Sequence, residues 1–234
     1  ISRDYNLNLF PDDFFDYILI DEVHKAGADS YKKVINYFKP EFYLGMTATP
    51  ERTDGQNIYE LFDYNIAYEI RLQDALDNDM LCPFIYYGVK DIEVEGCLID
   101  ENTTIGNLTS DERVRHILSK IEFYGVSGTT VKGLIFCSSK QEAHELSIKL
   151  NQRGKRCRAL TGDDNIERRN QVVAQLEKGE LDYILTVDIF NEGIDIPEVD
   201  TILFLRPTES LTVFLQQLGR GLRLSTDKEC LTVL

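Results

Sequence analysis

The feature that most constrains this chain is a series of short, nearly continuous apolar runs separated by longer stretches of helical periodicity. The runs are Tyr17 to Ile20, Phe42 to Gly45, Gly133 to Cys137, Tyr183 to Val187 and Thr201 to Leu205. Apolar runs this short, bounded by polar or turn residues, fit strands buried on both faces of a parallel sheet. Parallel neighbours need crossover connections, and the intervening segments have the period to supply them as helices. Val114, Ile117, Leu118 and Ile121 share one helical face. Just before them, Thr109-Ser110-Asp111-Glu112 reads as a capping box, with Thr109 and Glu112 satisfying free backbone N–H groups. Helices are also predicted over 141–152 and 166–178, with Gly179 as the glycine that ends the second. The pattern predicts an α/β layered architecture.

The segment from Asp91 to Leu108 is polar, contains Gly96 and Gly106 and has no clear period, so it reads as a linker. Residues 1–90 are then predicted to be the C-terminal part of one domain. Residues 109–234 form a second, nearly complete domain whose last strand reaches Leu234.

Composition narrows the setting. With 43% hydrophobic and 28% charged residues, packed cores are expected. The longest apolar stretches, such as Pro83 to Val89, are too short to span a bilayer, so no membrane association is predicted. No basic segment precedes an apolar core at the N-terminus. Five cysteines without CxxC spacing argue against a disulfide framework or zinc site and for the reducing cytoplasm. A net charge of −15 means that affinity for nucleic acid, if present, rests on a few placed groups.

Four motifs carry chemistry. Asp21-Glu22-Val23-His24 follows the first strand, and the carboxyl ends of parallel strands are where such sheets bind ligands. Asp21, with Glu22 beside it, suits Mg²⁺, a hard ion that takes one or two carboxylates beside substrate phosphates. Glu22 could orient or deprotonate an attacking water. The pair also fits a plain solvated strand end. Met46-Thr47-Ala48-Thr49-Pro50 follows the second strand as a link between sites or as a simple turn. Asn191-Glu192-Gly193-Ile194-Asp195 offers close backbone approach at Gly193 and a ribose acceptor at Asp195, or a glycine turn. Gln216 to Arg223 places Arg220 and Arg223 three apart, on one side of a helix if the helix continues through them. Their planar forks fit phosphate oxygens, and the flanking Gly219 and Gly221 argue against an ordinary solvated helix.

In this order and on these strand ends, the motifs resemble motifs II, III, V and VI of superfamily 2 helicases. Gly133 to Ser139 resembles motif IV, and Leu160-Thr161-Gly162 the element after it. Within the superfamily the chain is similar to the DEAD/DEAH-box, type III restriction Res subunit-like proteins, on Thr47 to Arg52 and Phe190 to Asp195.

The resemblance implies two RecA-like domains with ATP and Mg²⁺ bound between them. Asp21 and Glu22 would hold the metal and activate water. His24 and Gln216 would connect the nucleotide site to the domain interface. Thr47 and Thr49 would couple ATP state to nucleic-acid contacts. Gly193 and Asp195 would bind the nucleotide, and Arg220 and Arg223 would contact the γ-phosphate. Ser138, Thr161, Gly162 and Thr186 would contact the strand backbone.

The sequence departs from the family at two points. No GxxxxGK[ST] loop is present, and twenty residues precede Asp21. A Walker A segment is therefore expected upstream, and the fragment alone is expected to be inactive. Val187 stands where many relatives carry Thr. The implied function is an ATP-driven helicase or translocase, with DNA favoured over RNA. The alternatives are a nucleotide-independent scaffold and the motor part of a restriction or defence nuclease.

Overall fold

The computed structural model describes residues 4–23, 29–48, 57–94, 97–99, 103–125, 130–187, 196–206 and 210–234. The chain divides into two compact units, Ile1–Ile70 and Arg71–Leu234.

The first unit contains α1 (Asp4–Leu7), β1 (Tyr17–Ile20), α2 (Asp29–Tyr37), β2 (Phe42–Gly45) and a 3₁₀ turn, Ile58–Phe62. Strands β1 and β2 pair in parallel, Tyr17 opposite Phe42 and Ile20 opposite Gly45. Ile20, Val23 and Ile58 form the core, with Ile18, Tyr43 and Phe62 packed against it. The expectation of burial on both faces fails here. Tyr17 and Leu19 are 65% and 61% exposed. A sheet of two strands has one packed face, so side chains alternate between core and solvent.

The second unit contains α3 (Leu72–Asp77), β3 (Phe84–Tyr86), β4 (Glu93–Val94), β5 (Cys97–Leu98), α4 (Ile105–Leu108) and α5 (Asp111–Tyr124). It continues with β6 (Gly133–Phe136), α6 (Lys140–Gln152), β7 (Cys157–Leu160), α7 (Ile166–Glu177), β8 (Tyr183–Thr186), β9 (Thr201–Phe204), α8 (Leu211–Gly219) and β10 (Leu231–Val233). Its parallel sheet has the order β3-β10-β9-β6-β8-β7. Here the apolar runs are buried as expected: Leu134, Ile135, Ile184 and Leu185 are fully covered. One core, with Leu134, Ile184, Ile202 and Leu218, fills one face of the sheet, and another, with Ile117, Leu146, Ile135 and Leu185, fills the opposite face. Gly179, at φ +71°, follows α7, its N–H bonding the Leu176 carbonyl, as the sequence anticipates.

The structure departs from the sequence reading in three further places. Residues 71–90 belong with the second unit and not the first, because β3 pairs with β10 and Cys82 N–H donates to the Leu222 carbonyl. The segment 91–108 is not a free linker. It contains the β4–β5 hairpin and α4, and Asp91 is bonded to Arg113 inside α5. The cap of α5 is Ser110, whose hydroxyl accepts the Arg113 N–H; Thr109 turns back to the Ile105 carbonyl and to Glu145. Thr109 follows an existing short helix, so its hydroxyl is drawn to the carbonyl four residues earlier.

Candidate functional site

Hydrogen bonding fixes the carboxylate pair after β1. Beyond the strand, Met46 N–H donates to Ile20 O at 2.8 Å and Val23 N–H to Met46 O at 2.9 Å, so pairing continues past both strand ends. Gly45 permits this approach: a Cβ there would strike the Phe62 ring and the Val23 methyl. With Ile20 and Val23 anchored and buried, the two residues between them must turn sharply. Glu22 does so at φ +50°, a left-handed conformation unusual for a non-glycine residue. Its N–H donates to Asp21 Oδ1 at 2.9 Å, which orients the Asp21 carboxylate. Asp21 is exposed and Glu22 half-buried. Backbone strain of this kind collects at functional sites. An exposed, oriented carboxylate suits a magnesium ion that keeps its waters. Thr47 is half-buried at the end of the same pairing. His24 and Thr49 lie outside the described residues.

In the second unit, α8 ends at Gly219, and Arg220 is its C-cap. The chain then turns, with Gly221 packed so closely on Leu231 and Ile202 that a Cβ would collide with both. Arg220 is half-buried and Arg223 exposed beyond the helix. The expected shared helical side for the two arginines does not occur, because the glycines end the helix between them. Gln216 is half-buried on α8. Gly193 and Asp195 lie outside the described residues.

Sequence reasoning missed Lys228, which holds this turn. It is 8% exposed, and its Nζ donates to the carbonyls of Pro197 (2.7 Å), Val199 (3.0 Å) and Gly221 (3.0 Å). It ties the segment after Asp195 to the turn that carries Arg220. Burial pulls its pKa below the ordinary lysine value. A lone lysine in a polar stretch gives no sequence signal for this role.

The proposed strand contacts lie at the carboxyl ends of β6, β7 and β8. Ser138 is exposed, but its N–H and hydroxyl both donate to Glu142 Oε2 at 2.7 Å. Thr161 is buried and closed onto Asp164, while Gly162 is exposed. Thr186 is fully buried, so its hydroxyl does not reach the surface and the expected backbone contact is not presented. It sits in the middle of the sheet, with Cys137 N–H donating to its carbonyl.

Glu142 is itself held by Arg113, which the sequence reading also missed. Both are fully buried. Arg113 donates to Glu142 at 2.8 Å, Asp91 at 2.9 Å, and the carbonyls of Leu108 and Leu205 at 2.9 and 3.1 Å. Burial opposes its charge, but the two carboxylates more than offset this and raise its pKa.

The helicase conserved C-terminal domain matches residues 112–225, and the type III restriction enzyme res subunit matches residues 1–52. The chain is thus similar to superfamily 2 helicases of the Res-like type. It is 27% identical over 227 residues to the candidate ATP-dependent helicase IRC3 of Saccharomyces cerevisiae, covering 91% of this chain and 32% of that protein. It is 24% identical over 267 residues to the DNA 3'-5' translocase XPB2 of Sulfurisphaera tokodaii, covering 94% and 58%. A fragment of a candidate HsdR subunit of a type I restriction enzyme from Vibrio vulnificus shares the fold, with TM-score 0.74 at 23% identity over 98% of this chain and 45% of that one. The chain thus spans about a third of IRC3 and just over half of XPB2. The parallel sheet flanked by helices is RecA-like, the fold it shares with the HsdR fragment.

Among the described residues, no cluster of three metal-ligating side chains occurs, and no helix is long and apolar enough to cross a membrane.

Proposed function

We propose that this chain is the motor segment of a cytoplasmic ATP-dependent helicase or translocase that moves on nucleic acid, DNA in preference to RNA. The observation that carries this is the strained Glu22, pinned beside an oriented Asp21 at the carboxyl end of β1. Asp63, Tyr64 and Asp79 are also left-handed, but at Glu22 the turn holds a carboxylate pair at the carboxyl end of a parallel strand. The name of the translocase XPB2 supports DNA as the track.

Bound Mg²⁺–ATP supplies the phosphoryl group whose hydrolysis releases the driving energy. Asp21 would hold the metal, and Glu22 would orient the attacking water and accept its proton. Arg220 would stabilise charge on the transferred group, and Arg223 would be a further phosphate contact. Gln216 and His24 link this chemistry to the domain interface, and Thr47 and Thr49 pass the nucleotide state to the strand. Gly193 and Asp195 contact the nucleotide. Gly162, exposed beside the buried Thr161, would face the strand backbone. The chain by itself hydrolyses no ATP, since it has no GxxxxGK[ST] loop.

A second reading, the motor of a restriction enzyme, is favoured by the res subunit match at residues 1–52. The test is ATP hydrolysis by the intact protein with single-stranded DNA, duplex DNA or RNA, beside the Glu22→Gln variant. Stimulation by one nucleic acid, lost in the variant, is expected. Flat rates insensitive to the substitution would refute the motor reading.

A further inference from the structure

Lys228 lies beyond the last motif, yet carbonyls from two separate segments converge on its ammonium. We propose that Lys228 is a positioning residue for ATP hydrolysis: it locks the segment that follows Asp195 to the turn that carries Arg220, so that Arg220 meets the nucleotide in one placement. This rests on the motor reading of the chain.

The arrangement uses every donor the group has. An ammonium offers three N–H donors and no acceptor. Those of Lys228 go to Pro197 O at 2.7 Å, Val199 O at 3.0 Å and Gly221 O at 3.0 Å. The residue is 8% exposed, and taking a charge out of water is costly unless fixed dipoles replace the solvent. Burial outweighs the fields of Cys82, Asp200 and Glu198, which favour the charged form. Among the described residues the hydrogen bonds of Lys228 all go to carbonyls, which makes it a three-way connector and not one half of an ion pair.

Its place gives the connector a consequence. Arg220 is the C-cap of α8, and Gly221 follows it. A cation beside the carboxyl end of a helix is favourable. On the side of β9 and β10, Gly221 is wedged so that a Cβ would come within 2.5 Å of Leu231 and 3.1 Å of Ile202. Cys82 N–H holds the next carbonyl, that of Leu222, at 2.7 Å. Lys228 supplies the remaining tie, from Gly221 O across to Pro197 O and Val199 O. Without it, the glycines on either side of Arg220 regain backbone freedom, and the guanidinium loses its fixed origin.

The experiment measures ATP hydrolysis by the intact protein for the wild type, Lys228→Met, Arg220→Ala and the double variant, with a urea midpoint for each. Lys228→Met should lower kcat by about 10²-fold, the cost of a misplaced reacting group, with KM for ATP little changed. On the Arg220→Ala background it should cost nothing further, because residues that act as a unit are not additive. Lys228→Arg, which keeps the cation and its donors, should recover part of the rate. An equal loss on both backgrounds, or an unchanged kcat beside a lowered urea midpoint, would overturn the proposal. If Lys228→Met does not fold, Lys228→Gln, which keeps two donors, takes its place in the same cycle.

Placement is read separately, without turnover, by NMR on the 234-residue chain. The Arg220 Nε–H signal, assigned by its loss in Arg220→Lys, should shift and broaden in Lys228→Met. The signal of Arg156, bonded to Asp182 at the amino ends of β7 and β8, should stay in place. If the wild type hydrolyses ATP but the Arg220 signal does not move, the motor reading stands and this proposal falls. If hydrolysis is absent while the Arg220 signal moves, the motor reading falls and Lys228 still places Arg220.

Discussion

Arg113→Met tests the buried charge network directly. The substitution keeps the apolar stem and removes donors to Glu142, Asp91, Leu108 O and Leu205 O. Glu142 is fully buried and would be left as an uncompensated carboxylate, still accepting two bonds from Ser138. Removing one partner of a buried ion pair costs about 3–5 kcal/mol. The lost contact to Asp91 adds little, since that side chain is 34% exposed. For a fold whose stability is about 5–15 kcal/mol, this is a large fraction. With a urea dependence of roughly 2 kcal/mol per M, the unfolding midpoint should fall by about 2 M. Adding Glu142→Gln removes the stranded charge while an amide oxygen still accepts from Ser138, so about half the loss should return. The assay is urea unfolding followed by far-UV circular dichroism. A midpoint shift below about 0.5 M for Arg113→Met, or a double variant worse than the single, would refute the argument.

Four further outcomes follow from the same structure. Burial pushes the Asp200 carboxyl up to about 6, against bonds from Thr201 and Lys132 that lower it. The folded state therefore holds its proton more tightly than the unfolded state. Its contribution is fully present below about pH 4 and is lost as pH rises through about 6. Asp200→Asn should flatten that part of the stability profile, measured by urea midpoints from pH 4 to 7. In the intact protein, Glu22→Gln should abolish ATP hydrolysis while nucleotide binding, read by a fluorescent analogue, persists. Arg220→Ala should lower kcat by about 10³-fold or more with little change in nucleotide affinity; a pure affinity loss would remove it from that role. Lys228→Met leaves three carbonyls without their donor and should destabilise the turn by about 1–3 kcal/mol, read as faster amide exchange at Leu222.

The sequence by itself determined the layered α/β class, the strands Gly133–Phe136, Tyr183–Thr186 and Thr201–Phe204 to within a residue, and the ordered motifs, because burial on both faces leaves a local signature in Leu134 to Phe136 or Ile184 to Leu185. The sharp turn at Glu22 was not legible, since it arises from pairing between residues around Ile20 and Met46. The same limit applies to strand neighbours. Phe84–Tyr86 joins the second sheet only because Leu231–Val233 arrives beside it. Arg113 and Lys228 give no sequence signal of burial, yet both are buried, Arg113 on carboxylates and carbonyls and Lys228 on carbonyls, with partners supplied by distant segments. Local pattern records which faces avoid water. Which polar groups meet inside depends on contacts between residues far apart in the chain, and only the tertiary structure decided those.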